Sequence, residues 1–503
     1  MDMAMQVFQL ITDWGSLVGL FVGVVGGMII GALPGFSASM GVALLIPVTY
    51  GMNPVAGLIM LVAVYTSAIY GGSITATLCH TPGTPASAAT AIDGYKLTQQ
   101  GRGMEAVGVC TVASTIGGVV GALALLFLSP PLGKFSLKFS SLEYFMLAIF
   151  GVTIIASLAG ESLVKGLFSG ILGLFISTVG LDAITGVPRF TFGSIQLEDG
   201  IQFVPALIGM FSISQVLVIA EDVYKGRTTI LMDEAEMRGR ILPPWKEFKT
   251  LIPTITRSSI IGTIIGIIPA AGAGVSSWVC YSLGKKFSKK PELFGNGSLE
   301  GVASSEAGNN AATGGSLVPL ITLGLPGSAV AAILLGGMLM HGLVPGASMF
   351  TEKAAMTYSI IIGFLLANVL MGIIGLLIAR YVAHVSTIPM GLLGPVVVAL
   401  STVGTYAIRN NMFDVYVMYG FGALGYLLRK TGFATAPLVL GMVLGEIVES
   451  NWRRALILSR GKMITYFMSR PISLVLLVLV ILSMFSPILM NYVDKKSKVE
   501  PAS

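Results

Sequence analysis

The sequence predicts an all-α polytopic membrane protein made of two inverted structural repeats, with broken helices and re-entrant hairpins. Three observations carry that prediction. The 503 residues are 54% hydrophobic and 11% charged, with a mean hydropathy of +0.86, a balance that leaves too little polar surface for a water-soluble fold. Roughly twelve apolar runs approach or exceed the ~20 helical residues that cross a bilayer. A phrase rich in Gly, Pro and hydroxyl side chains also recurs, as Gly71-Gly72-Ser73 through Thr81-Pro82-Gly83-Thr84 and again as Gly314-Gly315-Ser316 through Leu325-Pro326-Gly327-Ser328. Paired interruptions in corresponding apolar segments are the signature of a transport site.

In chain order the runs lie near residues 15–33, 54–70, 104–130, 140–159, 163–181, 203–220, 255–268, 355–378, 389–403, 412–427, 433–448 and 473–491. The first 14 residues carry Asp2 and Asp13 but no Lys or Arg. They lack the basic n-region of a cleaved signal peptide, so the first span is expected to remain. The net charge of +6 comes from basic residues in short loops such as Lys285-Lys286-Phe287-Ser288-Lys289-Lys290. That distribution suits cytoplasmic loops and not a nucleic-acid surface. Cys79, Cys110 and Cys280 sit in apolar sequence and form neither a disulfide framework nor a metal spacing.

Between Glu221 and Thr250 six basic residues mix with six acidic ones, the composition of a solvated linker. Three landmarks recur in order on either side: Gly31-Ala32-Leu33-Pro34 with Gly266-Ile267-Ile268-Pro269, the two phrases, and Pro205 to Met210 with Pro437 to Met442, at offsets of 235, 243 and 232 residues. The expected organisation is a first membrane repeat over 1–220, a cytoplasmic linker over 221–250 and a second repeat over 251–450. An amphipathic segment, a last span and a basic tail follow over 451–503. Corresponding loops carry opposite charge bias: the lysines of 285–290 answer an uncharged Gly51-Met52-Asn53-Pro54, whereas Lys96 and Arg102 answer a lone Lys353. By the positive-inside rule the halves are inverted. The cluster Arg453, Arg454, Arg460 and Lys462 fits only if its segment lies in the membrane interface.

An unpaired backbone group in hydrocarbon costs several kcal/mol, so irregular backbone at depth lines a polar cavity or is buried in protein. At Thr81-Pro82-Gly83-Thr84-Pro85 and Leu325-Pro326-Gly327-Ser328, proline removes a donor and glycine permits close ligand approach. Helices restarting after each break would aim free N–H groups and a positive dipole end at it, which suits a carboxylate. Thr84 and Ser328 would add hydroxyl donors or N-caps, and Ser73 a further hydroxyl. The alternative is a pair of proline kinks packed on Ala-rich neighbours. Before the second phrase, Ser304-Ser305-Glu306-Ala307-Gly308-Asn309-Asn310-Ala311-Ala312-Thr313 is the most polar intramembrane stretch. Glu306, Asn309, Asn310 and Thr313 offer hard oxygen ligands for a cation such as Na⁺. Glu306 and Asn310 share one helix face and Asn309 and Thr313 the adjacent one. The rival role for Glu306 is an ion pair with a loop lysine at the membrane edge.

His80 in the first break is a candidate substrate or proton group, His341 and His384 lie near span ends, and Asp182 and Glu446 read as structural. No Gly-Lys pair has the P-loop spacing, and neither a His-Glu-x-x-His run nor a Gly-x-Ser-x-Gly elbow occurs, so no enzymatic activity is expected.

The chain resembles the large membrane subunit of the tripartite tricarboxylate transporters, the TctA family. The resemblance covers nearly the whole length. It rests on Gly31 to Gly35, Gly71 to Gly83, Val187-Pro188-Arg189-Phe190-Thr191-Phe192-Gly193, Glu300 to Ala303, Glu306 with Asn309-Asn310-Ala311, Leu323 to Ser328, Gly336-Gly337 and His341 to Gly346. It implies a secondary transporter of the bacterial inner membrane that imports organic carboxylates and couples to Na⁺ or H⁺, with no cofactor. Its partners would be a periplasmic solute-binding protein and a small membrane subunit of about four spans. Motif position carries substrate contact to Gly35, Ser37, Pro82, Gly83, Thr84, Pro326, Gly327 and Ser328, and a functional role to Asn309. Where the family reads Pro-Gly-Ala-Gly this chain has Pro269-Ala270-Ala271-Gly272, and alanine's cost at positive φ weighs against backbone ligation at Ala270. Alternating access is expected to move a hairpin-bearing unit against outer spans. A passive channel or a non-transporting scaffold is the rival reading.

Overall fold

A computed structural model describes residues 3–33, 35–158, 162–182, 185–226, 239–269, 271–385, 388 and 390–483. Pro34, Ala270, linker residues 227–238 and the basic tail lie outside the described residues. The helices are α1 Met3–Thr12, α2 Trp14–Ala32, α3 Ala38–Thr49, α4 Pro54–Cys79, α5 Ala88–Gln99, α6 Gly103–Ser136, α7 Ser141–Leu158, α8 Leu163–Ile176 and the short α9 Ile195–Glu198. Then α10 Phe203–Ile208 runs through a π-helical turn at Gly209–Ile213 into α11 Ser214–Tyr224. The second half comprises α12 Trp245–Ile267, α13 Gly272–Phe287, α14 Leu299–Leu323, α15 Ala329–Met340, α16 Ala354–Val385, α17 Met390–Arg409, α18 Met412–Lys430, α19 Thr435–Leu458, α20 Met463–Met468 and α21 Pro471–Ser483.

Each apolar run identified from the sequence overlaps a helix, although the run at 163–181 continues past α8 into the strand at Gly180–Leu181 and the run at 203–220 crosses α10, the π-helical turn and α11. Seven of the described helices are long and apolar enough to cross a membrane. The chain is an all-α polytopic membrane protein. The extended backbone among the described residues is a two-residue antiparallel pair, Gly180–Leu181 with Pro188–Arg189.

Two compact units divide the chain, one of residues 1–133 and 204–426, the other of 134–203 and 427–503. In the first, α2 and α4 run side by side in the same direction. A Cβ on Gly19, Gly23, Gly27 or Gly31 would strike the carbonyl oxygen of Ala56, Met60, Val64 or Ala68 respectively. This four-residue glycine stripe lets two apolar backbones touch, the way helices associate where no hydrophobic effect drives them together. Between them α3 turns back along α2, bringing Gly41 beside Ile30 and returning Met52 to the level of Gly19. The second half repeats the pattern. Gly262 and Gly266 of α12 lie against the carbonyls of Gly308 and Ala312 of α14, and α13 returns between them, with Cys280 Sγ donating to Ser258 O at 3.5 Å.

In the second unit α8 and α19 touch through Gly173 on Leu438 and Gly441 on Gly170. A buried Asp182 is paired by Arg453 at 2.7 Å and Arg189 at 3.4 Å, and Arg189 also meets Glu449 at 2.6 Å. Asp182 is thus structural, and one cation of the 453–462 cluster is neutralised within the fold. Arg454, Arg460 and Lys462 are exposed.

Candidate functional site

Both sequence-identified breaks are built by one device. α4 ends with His80 in the left-handed region (φ 54°), and Thr81 N–H reaches back to Thr75 O at 3.4 Å. α14 ends with Gly324 at φ 72°, and Leu325 N–H reaches back to Pro319 O at 3.2 Å. This six-to-one closure is the Schellman motif. Its left-handed position favours glycine, and His80 occupies it with strain. The imidazole is exposed and rests on the Tyr95 ring at 4.8 Å. The geometry therefore accounts for His80 as a helix terminator. His341 Nε2 meets Thr49 Oγ1 at 3.1 Å, and the exposed His384 ring bonds its own helix at Arg380 O, 2.9 Å away.

After each terminator the chain folds back before a helix restarts. Gly83 N–H donates to Gly72 O at 3.3 Å, and a Cβ on Gly83 would overlap Gly31 O. In the same manner Gly327 lies on Gly266 O and Ser316. Ser328 caps α15, accepting from Ala331 N–H at 3.1 Å. Thr84 differs from the expected N-cap: its hydroxyl is 2.9 Å from Ser87 Oγ, because Pro85 opens a 3₁₀ turn before α5 begins. Gly272 (φ 57°) faces Ser328, with a Cβ there 3.2 Å from Ser328 Cβ, and Gly274 approaches Pro85 O. The α12–α13 joint thus adjoins both breaks, and the end of α2 adjoins the first through Gly31 O. At the α2–α3 joint, Ser37 caps α3 through Met40 N–H at 3.2 Å, and Gly35 (φ 79°) lies beside Gln215 Nε2. Gly35 and Pro82 are exposed, Ser37 is half-buried, and Ser73, Gly83, Thr84, Pro326, Gly327 and Ser328 are buried. Ser73 turns its hydroxyl to Tyr70 O at 2.6 Å.

Each half also reaches into the other's break. The fully buried Tyr65 hydroxyl of α4 lies 3.0 Å from both Ser316 Oγ and Ser328 Oγ. From α14, Asn309 Nδ2 donates to Ala86 O at 3.2 Å, just past the first break. Helices α5 and α14 cross antiparallel, since Thr90 bonds Glu306 and Asp93, further along α5, bonds Ser298 N–H at the start of α14 at 3.0 Å.

Glu306 is fully buried. Its carboxyl accepts from the Thr90 hydroxyl, from Ser114 Oγ at 2.8 Å and from Asn309 Nδ2 at 3.1 Å. The loop-lysine alternative does not hold, as none of these partners is basic. The expected pairing of faces also shifts. Glu306 bonds Asn309, three residues on, toward the first break, while Asn310 Nδ2 turns to Thr66 Oγ1 at 3.3 Å and Met371 Sδ at 3.7 Å. Thr313 donates its hydroxyl to Asn310 O at 2.6 Å. The amide oxygens of Asn309 and Asn310 are buried without a hydrogen-bond partner.

Sequence reasoning missed Thr90, Ser114, Asn368 and Asp93. Asn368 stood out only as a lone amide inside an apolar run, where Thr66 Oγ1 donates to it at 2.7 Å. Asp93 Oδ1 accepts N–H groups from Gly295 (2.8 Å), Gly297 (2.9 Å) and Ser298 (3.0 Å), and Oδ2 accepts from Tyr281 at 2.8 Å. No local signal in the sequence links residues two hundred positions apart.

A sequence model of the tripartite tricarboxylate transporter TctA family matches residues 17–440. An Agrobacterium vitis protein described as an "uncharacterized 52.8 kDa protein in TAR-I ttuC' 3'region" is 37% identical over 490 residues, covering 96% of this chain and 95% of the relative. A second Agrobacterium vitis protein, described as an "uncharacterized protein in TAR-II ttuC' 3'region", is 38% identical over 238 residues, 47% of this chain and 98% of the relative. No solved structure matches the chain.

Proposed function

The chain belongs to the tripartite tricarboxylate transporter TctA family, a multi-pass inner-membrane transport subunit and not an enzyme, and from that premise we propose that it is the carrier of a secondary transporter importing organic di- and tricarboxylates. A Na⁺ or H⁺ gradient drives it. Membership in a tripartite system implies further subunits; in this proposal they are a periplasmic solute-binding protein that delivers substrate and a small membrane subunit of about four spans.

The observation that carries the proposal is the reciprocal crossing at the breaks. Tyr65 of the first half reaches Ser328, and Asn309 of the second half reaches Ala86. That exchange, with the antiparallel crossing of α5 and α14, supports inverted repeats of roughly twelve spans meeting at one midplane site. A substrate carboxylate binds at Gly83–Thr84 and Gly327–Ser328, where the N-terminal N–H groups of α5 and α15 and the nearby hydroxyls supply donors. Gly35, Ser37, Pro82 and Pro326 shape its approach.

Reconstitution of the chain with its two partner subunits in liposomes tests this. Uptake of radiolabelled citrate or tartrate should saturate, need the binding protein and collapse when the ion gradient is dissipated. Solute flux that neither saturates nor responds to the gradient would establish a channel instead.

A further inference from the structure

The hydrogen-bond directions around Asn309 and Asn310 are fixed by their neighbours. Asn309 Nδ2 lies 3.2 Å from Ala86 O and 3.1 Å from Glu306 Oε1. A carbonyl and a carboxylate can only accept, so the nitrogen must face them and the amide oxygen must face away. For Asn310 the reasoning passes through two more residues. Asn368 Nδ2 donates to Phe364 O at 2.8 Å, which leaves Asn368 Oδ1 to accept from Thr66 Oγ1 at 2.7 Å. Having given away its proton, the Thr66 hydroxyl can only accept from Asn310 Nδ2 at 3.3 Å. The Asn310 oxygen therefore faces away from Thr66, and no donor among the described residues reaches it.

Two consecutive amide oxygens are thus buried and unpartnered, in a setting where native folds satisfy almost every buried acceptor. The fully buried Glu306 is bonded to one of the two amides. Among the described residues no Lys, Arg or His pairs with it. Its protein partners include the Thr90 and Ser114 hydroxyls and the Asn309 amide, all of them neutral groups. The place therefore combines a fully buried carboxyl that has no basic partner among the described residues with orphaned hard oxygens.

We propose that the amide oxygens of Asn309 and Asn310 are ligands to Na⁺, and that Glu306 supplies the counter-charge from behind Asn309 without ligating the ion. An amide oxygen does not bind a proton at neutral pH, so these two ligands bind Na⁺ and not H⁺. The inference deepens the carrier proposal and rests on it only for what the ion does, not for whether it binds.

The test uses the full chain purified in detergent, without carboxylate or partner subunits. Na⁺ titrated against K⁺ at constant ionic strength should raise the thermal transition saturably, and K⁺ should not. Asn309→Ala and Asn310→Ala should each abolish the Na⁺ response. Glu306→Gln should raise the Na⁺ half-saturation by about 10–100-fold, the size of an outer-shell effect. The comparison of Na⁺ with K⁺ on the native chain needs no variant and covers the case in which the alanine variants fail to fold. An equal response of the native chain to Na⁺ and K⁺, or an undiminished Na⁺ response in both alanine variants, overturns the proposal. Na⁺ stabilisation in a protein that takes up no carboxylate would leave this site standing and remove the carrier reading. Proton-driven uptake with no Na⁺ response would do the reverse.

Discussion

At the scale of single residues, the structure separates side chains that hold backbone from those free to meet a ligand. His80 belongs to the first kind. It occupies the left-handed terminator that glycine fills in the other half, and its ring is exposed. His80→Gly should stabilise the fold by about 1 kcal/mol, the cost of left-handed backbone for a residue with a Cβ, and leave uptake unchanged; thermal denaturation and transport on one preparation check both. A sharp fall in uptake would return His80 to the substrate site. Asp93 holds three backbone N–H groups and the Tyr281 hydroxyl in a buried place. Asp93→Ala should destabilise by at least about 3 kcal/mol, since each orphaned donor costs about 1–3 kcal/mol, whereas Tyr281→Phe should cost only about 1 kcal/mol. Tyr65→Phe removes the hydroxyl between Ser316 and Ser328. Its expected signature is a raised KM for carboxylate with the fold intact, as the second break loses its positioning contact.

At the scale of elements, the two halves use the same joint. A glycine stripe seats α2 on the backbone of α4 and α12 on that of α14, and the helix connecting each pair, α3 or α13, folds back alongside. Sequence reasoning missed the stripe of Gly19, Gly23, Gly27 and Gly31 on α2, and a small-residue repeat does not name its partner. Only the structure shows that it seats on α4. Gly27→Leu or Gly262→Val would drive a side chain into the facing helix at Val64 or Gly308. Overpacking of a tight contact costs about 1–3 kcal/mol, more where the obstruction is backbone, so both variants should lose monodisperse protein on size-exclusion chromatography. Gly26→Ala, where a Cβ meets nothing within 4 Å, should behave as the native chain. A monodisperse Gly27→Leu variant would mean that the stripe is not a contact.

At the scale of the whole molecule, the proposed inversion puts the turn at Met52 and the loop at Ser288 on opposite faces of the membrane. A membrane-impermeant maleimide should label Met52→Cys from one side only and Ser288→Cys from the other, in a background lacking Cys79, Cys110 and Cys280. Labelling of both from one side would reject inversion. The sequence by itself determined what depends on composition and near neighbours: the membrane class, the apolar runs, the places where proline and glycine interrupt them, and the unusual polarity of 304–313. Each is a property of the local chain, because helix needs its own donors and hydrocarbon tolerates no unpaired ones. Tertiary structure alone decided which half closes on which, that Glu306 faces Thr90 and Ser114 and not a lysine, that Asp93 holds a loop two hundred residues away, and that two amide oxygens are left over. Those outcomes are counts of donors against acceptors in a shared buried space, and such a count exists only once the segments have met.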